Sequence, residues 1–285
     1  MDDPLRLPEL DVPHLLRQHG LHPDKSLGQN FLLDEAALQK VVEAAMLTPQ
    51  DVVLEIGPGL GSLTRQLAVH TSQVIAVEID HDLVPVLHQV LNEFSNVTVI
   101  QGDILALDPV RLVSSSEYLV VANIPYNITS ALIRHLLEAS TPPRRLVLTV
   151  QEEVAQRICA RPGDMSLLAL SVQVYGDPEI IAKIPAGVFY PPPRVDSAIL
   201  RIERYPAPLI PVDRLDVFFR LIKAGFSQKR KTLRNALSAG LHLSTANIET
   251  LLRTAGIDHM RRAETLSLLE WHKLTVELSN QFAPH

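Results

Sequence analysis

From residue 52 to residue 150, short apolar runs alternate with segments whose apolar residues recur at helical spacing. The runs at 52–56, 74–80, 97–101, 118–122 and 146–150 are rich in Val, Ile and Leu, and each predicts a buried strand. The helices expected between them, at 83–91 and 130–137 among others, imply parallel βαβ units. Apolar runs at 168–175, 180–184 and 197–202 predict further strands that complete the sheet. Ahead of the sheet, a short helix is expected at 11–18. Asp34 stands where it can cap a second helix running to Ala45, in which Ala37, Leu38, Val41, Val42 and Ala45 share a face. The stretch Tyr205-Pro206-Ala207-Pro208-Leu209-Ile210-Pro211 reads as a linker, and beyond it the strand pattern vanishes. Amphipathic helices are expected at 212–225, 229–239, 244–254 and 265–280. The pattern predicts an α/β domain over residues 1–205 and a small all-α domain over 206–285.

Composition narrows the setting. At 285 residues, 46% of them hydrophobic and 20% charged, the chain can bury one large core and a small one. Cys159 is the only cysteine, which excludes an internal disulfide and a cysteine metal cluster and points to a reducing cytoplasm. No stretch approaches the roughly 18 apolar residues of a membrane span. The start, Met1-Asp2-Asp3-Pro4, has no signal-peptide pattern, so a cytoplasmic protein without a membrane partner is expected. Nothing in the sequence demands more than a monomer.

The formal net charge of −6 conceals an asymmetry. Residues 1–204 carry 15 Lys and Arg against 25 Asp and Glu, whereas residues 205–285 carry 11 against 7. This is an acidic body with a basic appendage. Lys229, Arg230, Lys231 and Arg234 place four cations within six residues, where they can neutralise RNA phosphates at a helix start, and Arg261-Arg262 adds to them.

The strand ends carry the chemistry. Glu55-Ile56-Gly57-Pro58-Gly59-Leu60-Gly61 follows the first strand of the repeat, and its glycines let a ligand approach bare backbone. The spacing G-x-G-x-G differs from the G-x-G-x-x-G of dinucleotide folds. A carboxylate at Glu55 repels a pyrophosphate and suits a cationic or zwitterionic tail, which favours S-adenosylmethionine over NAD. Glu78 closes the second strand about 20 residues past the glycines, where it can accept both hydroxyls of a ribose. Asp80 is better placed to cap the next helix. Asp103 can accept from an adenine amino group, with Ile79 and Ile104 on either side of the ring.

The fourth strand runs into Asn123-Ile124-Pro125-Tyr126-Asn127-Ile128-Thr129. Asn123 offers an amide, Tyr126 a flat π-face, and Pro125 fixes φ and has no N–H of its own, so the group suits a planar ligand bearing an amine, such as a nucleobase. Read alone, the same composition also describes an ordinary strand-to-helix turn. Phe189-Tyr190-Pro191-Pro192-Pro193 forms a stiff loop that either holds Phe189 at a pocket mouth or tucks it into the core. The eleven histidines show no H-E-x-x-H pairing, and neither a G-x-S-x-G elbow nor a G-x-x-x-x-G-K loop is present, so no metal is expected.

Assembled in order, these stretches resemble the KsgA-type small-subunit rRNA adenine N6,N6-dimethyltransferases from about Lys25 to Leu278. The marks are Leu27-Gly28-Gln29-Asn30-Phe31-Leu32, Glu55 to Gly59, Asn123 to Asn127, Phe189 to Ser197, and Phe226 to Leu237. The resemblance implies a Rossmann-like, class I S-adenosylmethionine-dependent methyltransferase domain followed by a helical domain that recognises rRNA. It implies cofactor contacts at Asn30, Leu32, Gly57, Glu78, Asp103 and Asn123. It also implies catalytic roles for Asn123, Pro125, Tyr126 and Phe189, the two aromatic rings stacking an extruded adenine. The small ribosomal subunit and its rRNA are the implied partners. Three other readings compete: a large-subunit rRNA adenine methyltransferase of the erythromycin-resistance type, an assembly or transcription factor on the same fold, and an NAD oxidoreductase. The basic stretch from Phe226 to Asn235 favours the KsgA type over the first. The intact Asn123 turn argues against lost activity, and the absent G-x-G-x-x-G argues against the last.

Overall fold

The computed structural model describes residues 7–113 and 115–281; the acidic start read above lies outside them. The chain divides into two compact units. One comprises the residues up to Ala155 together with Glu179–Arg204, and the other comprises Gln156–Pro178 together with the residues from Tyr205 onward.

The first unit opens with α1 (Val12–Gln18), where Asp11 accepts the His14 N–H at 2.8 Å. After β1 (Phe31–Leu32), α2 (Glu35–Ala45) starts on Asp34, whose carboxylate takes the Ala37 N–H at 2.7 Å. The repeat then runs β2 (Val52–Ile56), α3 (Ser62–Ala68), β3 (Gln73–Glu78), α4 (Val84–Val90), β4 (Val97–Gln101), α5 (Pro109–Leu112), β5 (Tyr118–Asn123), α6 (Thr129–Leu137) and β6 (Arg145–Gln151). After α7 (Glu152–Ile158) and α8 (Leu167–Gln173), the chain returns through β7 (Gly176–Ile184), β8 (Phe189–Tyr190) and β9 (Ser197–Arg204). The seven-stranded sheet has the order β4-β3-β2-β5-β6-β9-β7. Strands β4 to β6 are parallel, with Leu54 opposite both Ile75 and Val120. The chain leaves β2 toward β4 and then returns to β5 on the other side. This reversal of direction opens a crevice outside the carboxyl ends of β2 and β5, where open α/β sheets bind ligands.

Four expectations change. The sheet is not wholly parallel, because β9 runs antiparallel to β6, with Ser197 opposite Gln151. The apolar run at 168–175 is a helix, α8, with Ala169, Leu170 and Val172 buried. Ser166 caps it by accepting the Ala169 N–H at 3.1 Å, and continuous apolarity does not by itself distinguish a buried helix from a strand. Asp80 does not cap α4. A turn intervenes, and its carboxylate instead accepts from the Asp82 N–H and from Gln29. The fourth change, like the one at α8, lies in the second unit, where α10 (Leu233–Leu241) starts later than expected, so Lys229, Arg230 and Lys231 occupy an exposed turn ahead of it.

That unit packs α9 (Leu215–Phe226), α10, α11 (Thr245–Thr254) and α12 (Leu268–Gln281) around Phe218, Leu221, Leu237, Leu252, Trp271 and Leu274, all fully buried. At Gly225 a β-carbon would sit 2.5 Å from Cη2 of Trp271. Gly225→Ala must therefore displace a rigid indole in a closed core. The substitution is expected to lower stability by about 1–3 kcal/mol despite the better helix propensity of Ala, read as a reduced denaturant midpoint.

Candidate active site

A cleft of about 100 Å³ lies along the carboxyl ends of β2, β3, β4 and β5. Each of these strands delivers a polar residue into it at the point where ladder pairing stops. At the end of β3, Glu78 is 4% exposed and both its oxygens are held by backbone. Oε2 accepts the Gly59 N–H and Oε1 the Asp80 N–H, each at 2.9 Å. These bonds fix the carboxylate plane and leave one lone pair on each oxygen for a pair of hydroxyls. Burial raises the Glu78 carboxyl above its ordinary range, while the two N–H groups favour its charged form.

Gly59 can reach Glu78 only with a left-handed backbone, φ +60, and a β-carbon there would meet the Phe31 ring at 2.8 Å. The ring lies beneath the loop in a cluster with Leu16, Leu60, Leu83 and Val86, so α1 and β1 support the glycine turn from below.

Glu55, at the end of β2, is 1% exposed and also lines the cleft, but its Oε2 has no hydrogen-bond partner. Burial pushes the Glu55 carboxyl up to about 8. The neighbouring Glu78 pushes it the same way, and the Thr64 hydroxyl pulls back only in part. A buried carboxyl beside a glycine turn, with one oxygen unpartnered, fits a cationic group that would favour its charged form. Just beyond β4, Asp103 and the buried Ile104 line the cleft, as does Ile79, which is 48% exposed.

The Asn123 turn forms the other end. Asn123 Nδ2 donates to the carbonyl oxygen of Asn30 at 2.8 Å, which leaves its Oδ1 as the acceptor for a ligand. The Ile128 N–H donates to the Pro125 carbonyl at 3.2 Å. Tyr126 lines the cleft half-buried, and its hydroxyl lies 2.7 Å from Ser197 Oγ. Burial raises its phenol above the ordinary range, more than the Ser197 hydrogen bond lowers it.

Of the residues singled out in the sequence, Asn30, Leu32, Gly57, Glu78, Asp103, Asn123, Pro125 and Tyr126 all line this one cleft. Phe189 does not. It is 3% exposed in the core with Leu32, Leu38 and Val41, because β8 pairs antiparallel with β1 and turns the ring toward α2. Tyr126 is the half-buried aromatic ring in the cleft's lining. Arg234 also departs from expectation, since its guanidinium donates to Glu249 Oε1 at 2.5 Å and to Asn235. The exposed part of the basic cluster is Lys229, Arg230 and Lys231. Local sequence gave no signal for Gln29, whose Nε2 donates to Asp80 Oδ2 at 2.6 Å across 51 residues of chain.

Glu55 gives the site a measurable signature. Its carboxyl keeps a proton in the folded protein between its ordinary 4.5 and about 8, where the unfolded chain has released it. Stability from this group is therefore full below the lower value and is lost as pH rises through the upper one. Glu55→Gln is expected to flatten that fall between pH 5 and 9, read from denaturant midpoints. A slope equal to that of the unsubstituted protein would show that Glu55 does not titrate there.

Comparison with known proteins places this geometry in a lineage. The family described as Ribosomal RNA adenine dimethylase matches residues 21–280. A protein named ribosomal RNA small subunit methyltransferase A from Dehalococcoides mccartyi (strain CBDB1) is 46% identical over 265 residues, covering 92% of this chain and 91% of its own. One of the same name from Geobacillus kaustophilus (strain HTA426) is 41% identical over 280 residues, covering 95% and 94%. Among solved structures, the 23S rRNA methyltransferase ErmE superposes with a TM-score of 0.71 at 30% identity over 88% of this chain and 100% of its own. A dimethyladenosine transferase from Plasmodium falciparum gives 0.76 at 26%, covering 88% and 98%. With a Rossmann-like methyltransferase sheet, a helical C-terminal region and a match over most of its length, the chain belongs to the ribosomal RNA adenine dimethylase family.

Proposed function

We propose that the protein uses S-adenosylmethionine to dimethylate N6 of two adjacent adenosines in a hairpin loop near the 3′ end of small-subunit rRNA, as a step in small-subunit biogenesis. The observation that carries this reading is the pairing of two kinds of acceptor in one cleft. Glu55 and Glu78 suit a zwitterionic nucleoside at one end, and the oriented Asn123 amide suits an exocyclic amine at the other. The cofactor, when bound, supplies an electrophilic methyl group on a sulfonium. Glu78 would take the ribose hydroxyls; Ile79, Ile104 and Asp103 would take the adenine, and Glu55 the cationic end.

The chain's own residues address the poor nucleophilicity of an aromatic amine, whose lone pair is delocalised into the ring. Asn123 Oδ1 and one backbone carbonyl accept the two N–H bonds and turn the nitrogen toward sp³, so the lone pair points along the transfer direction. The Pro125 carbonyl is already engaged, which makes the Ile124 carbonyl the second acceptor. No strong base is needed before attack, because the nitrogen becomes acidic only as it gains the methyl. Tyr126 stacks the extruded base, and most of the acceleration comes from positioning.

The first unit would carry the transfer and the exposed turn of the second would meet rRNA phosphates. The small-subunit assignment rests on the relatives at 40–46% identity, against 30% for the 23S enzyme. With a formal charge of −6, tight binding to naked RNA is not expected, and an assembled subunit particle is the better substrate.

Labelled S-adenosylmethionine with undermethylated small subunits, naked small-subunit rRNA and large-subunit rRNA in parallel tests this. Dimethyladenosine on the particle supports the proposal, and label on large-subunit RNA instead rejects it. Asn123→Ala is expected to lower kcat by more than about a hundredfold while the circular dichroism spectrum is kept; retained activity would remove Asn123 from the mechanism. Changing Lys229, Arg230 and Lys231 together to Gln should weaken particle binding and flatten the log–log salt dependence by about two to three units.

A further inference from the structure

The Tyr126 ring that would receive the target base must be held against rotation. We infer that Ser197 is a positioning residue for the transfer, its hydroxyl fixing the Tyr126 ring in the plane that receives the base. This rests on the function proposed above.

Three observations carry it. The Ser197 Oγ to Tyr126 hydroxyl distance is 2.7 Å, a full-strength O–H···O bond between residues 71 apart. Ser197 is fully buried and begins β9, in register with Gln151 of β6, so its oxygen belongs to the rigid sheet and not to the turn it steadies. The residue before it is anchored twice: the Asp196 carbonyl accepts the Glu152 N–H at 3.1 Å, and its carboxylate accepts the Ala186 N–H at 2.9 Å. Tyr126, by contrast, sits in a turn closed by a 3.2 Å bond from Ile128 to Pro125 and a 3.3 Å bond from Thr129 Oγ1 to its own carbonyl, neither of which restrains the ring. The hydroxyl pair therefore ties the turn's aromatic side chain to the framework. Because burial keeps the phenol protonated well above neutrality, the tie persists across the pH range of an assay.

A double-mutant cycle on kcat/KM for methyl transfer to undermethylated small subunits tests the inference, with cofactor affinity measured separately by calorimetry. Ser197→Ala and Tyr126→Phe remove the same bond from opposite sides. Each is expected to lower kcat/KM about five- to tenfold, and the double variant should lie within about twofold of the worse single one. Cofactor affinity should stay within about twofold of wild type, since neither hydroxyl belongs to that end of the cleft. Losses that multiply in the double variant, or Ser197→Ala at wild-type kcat/KM, overturn the inference while leaving the methyltransferase reading intact. If Ser197→Ala does not fold, Tyr126→Phe decides alone, and wild-type kcat/KM for it overturns the inference. Wild-type protein that transfers no methyl group to any rRNA overturns the proposed function and the inference with it.

Discussion

Two carboxyl groups, Glu55 and Glu78, end adjacent parallel strands almost without solvent, and the local structure answers the repulsion between them unequally. Glu78 receives N–H groups from Gly59 and Asp80; the Glu55 Oε2 receives none. The first arrangement stabilises an acceptor, and the second leaves one that is relieved by a proton or by a cation. Much of the first unit follows from meeting this constraint. Gly59 must adopt a left-handed backbone to reach Glu78, the space where its side chain would be is filled by Phe31, and Phe31 is held there by α1 and by the pairing of β1 with β8. A site built this way favours a ligand that brings a cation to Glu55, which would draw off its proton, over one that brings a second anion.

Residues 24–33 join the two ends of the cleft. Gln29 donates to Asp80, whose N–H in turn orders Glu78, while the Asn30 carbonyl holds the Asn123 amide. Gly28 lies so close to Pro125 that a β-carbon would approach the proline Cβ to 3.2 Å. The segment thus forms a shared wall. A shift of this wall at the nucleoside end is transmitted to the amide that would orient the amine, through contacts a few residues apart.

How much of this was legible depends on the range of the interaction. The strands from β2 to β6 and the cap at Asp34 rest on local pattern, and they appear where the pattern puts them. The gathering of Glu78, Asp103 and Asn123 followed from strand ends meeting at one sheet edge, whereas Asn30 was legible only through the family resemblance. What the sequence concealed is set by tertiary pairing. Leu168 to Tyr175 is apolar enough for a strand and becomes a helix because Ser166 caps it. Phe189 is drawn into the core by a two-residue pairing with β1 that no periodicity announces. Gln29 and Ser197 are single polar residues whose partners lie 51 and 71 positions away.

The charge count of the C-terminal residues illustrates the same limit, with a consequence for recognition. An excess of four cations over residues 205–285 reads as a broad basic face. Yet Arg234 of α10 is bound to Glu249 of α11, Arg261 holds both oxygens of Glu270 in α12, and Arg262 pairs locally with Glu264, so these cations are engaged within the unit. The exposed turn of Lys229, Arg230 and Lys231 remains the densest exposed group, with Arg220, Lys223, Arg253 and Lys273 exposed elsewhere along the chain, and three phosphate contacts at one turn give only a modest electrostatic attraction at physiological salt. Discrimination among RNAs must then come from shape: a base already presented where the cleft can receive it, and a phosphate path that runs past one short turn. A folded ribonucleoprotein surface provides both at once, whereas a flexible single strand would have to be ordered on binding, and three cations offset little of that entropic cost.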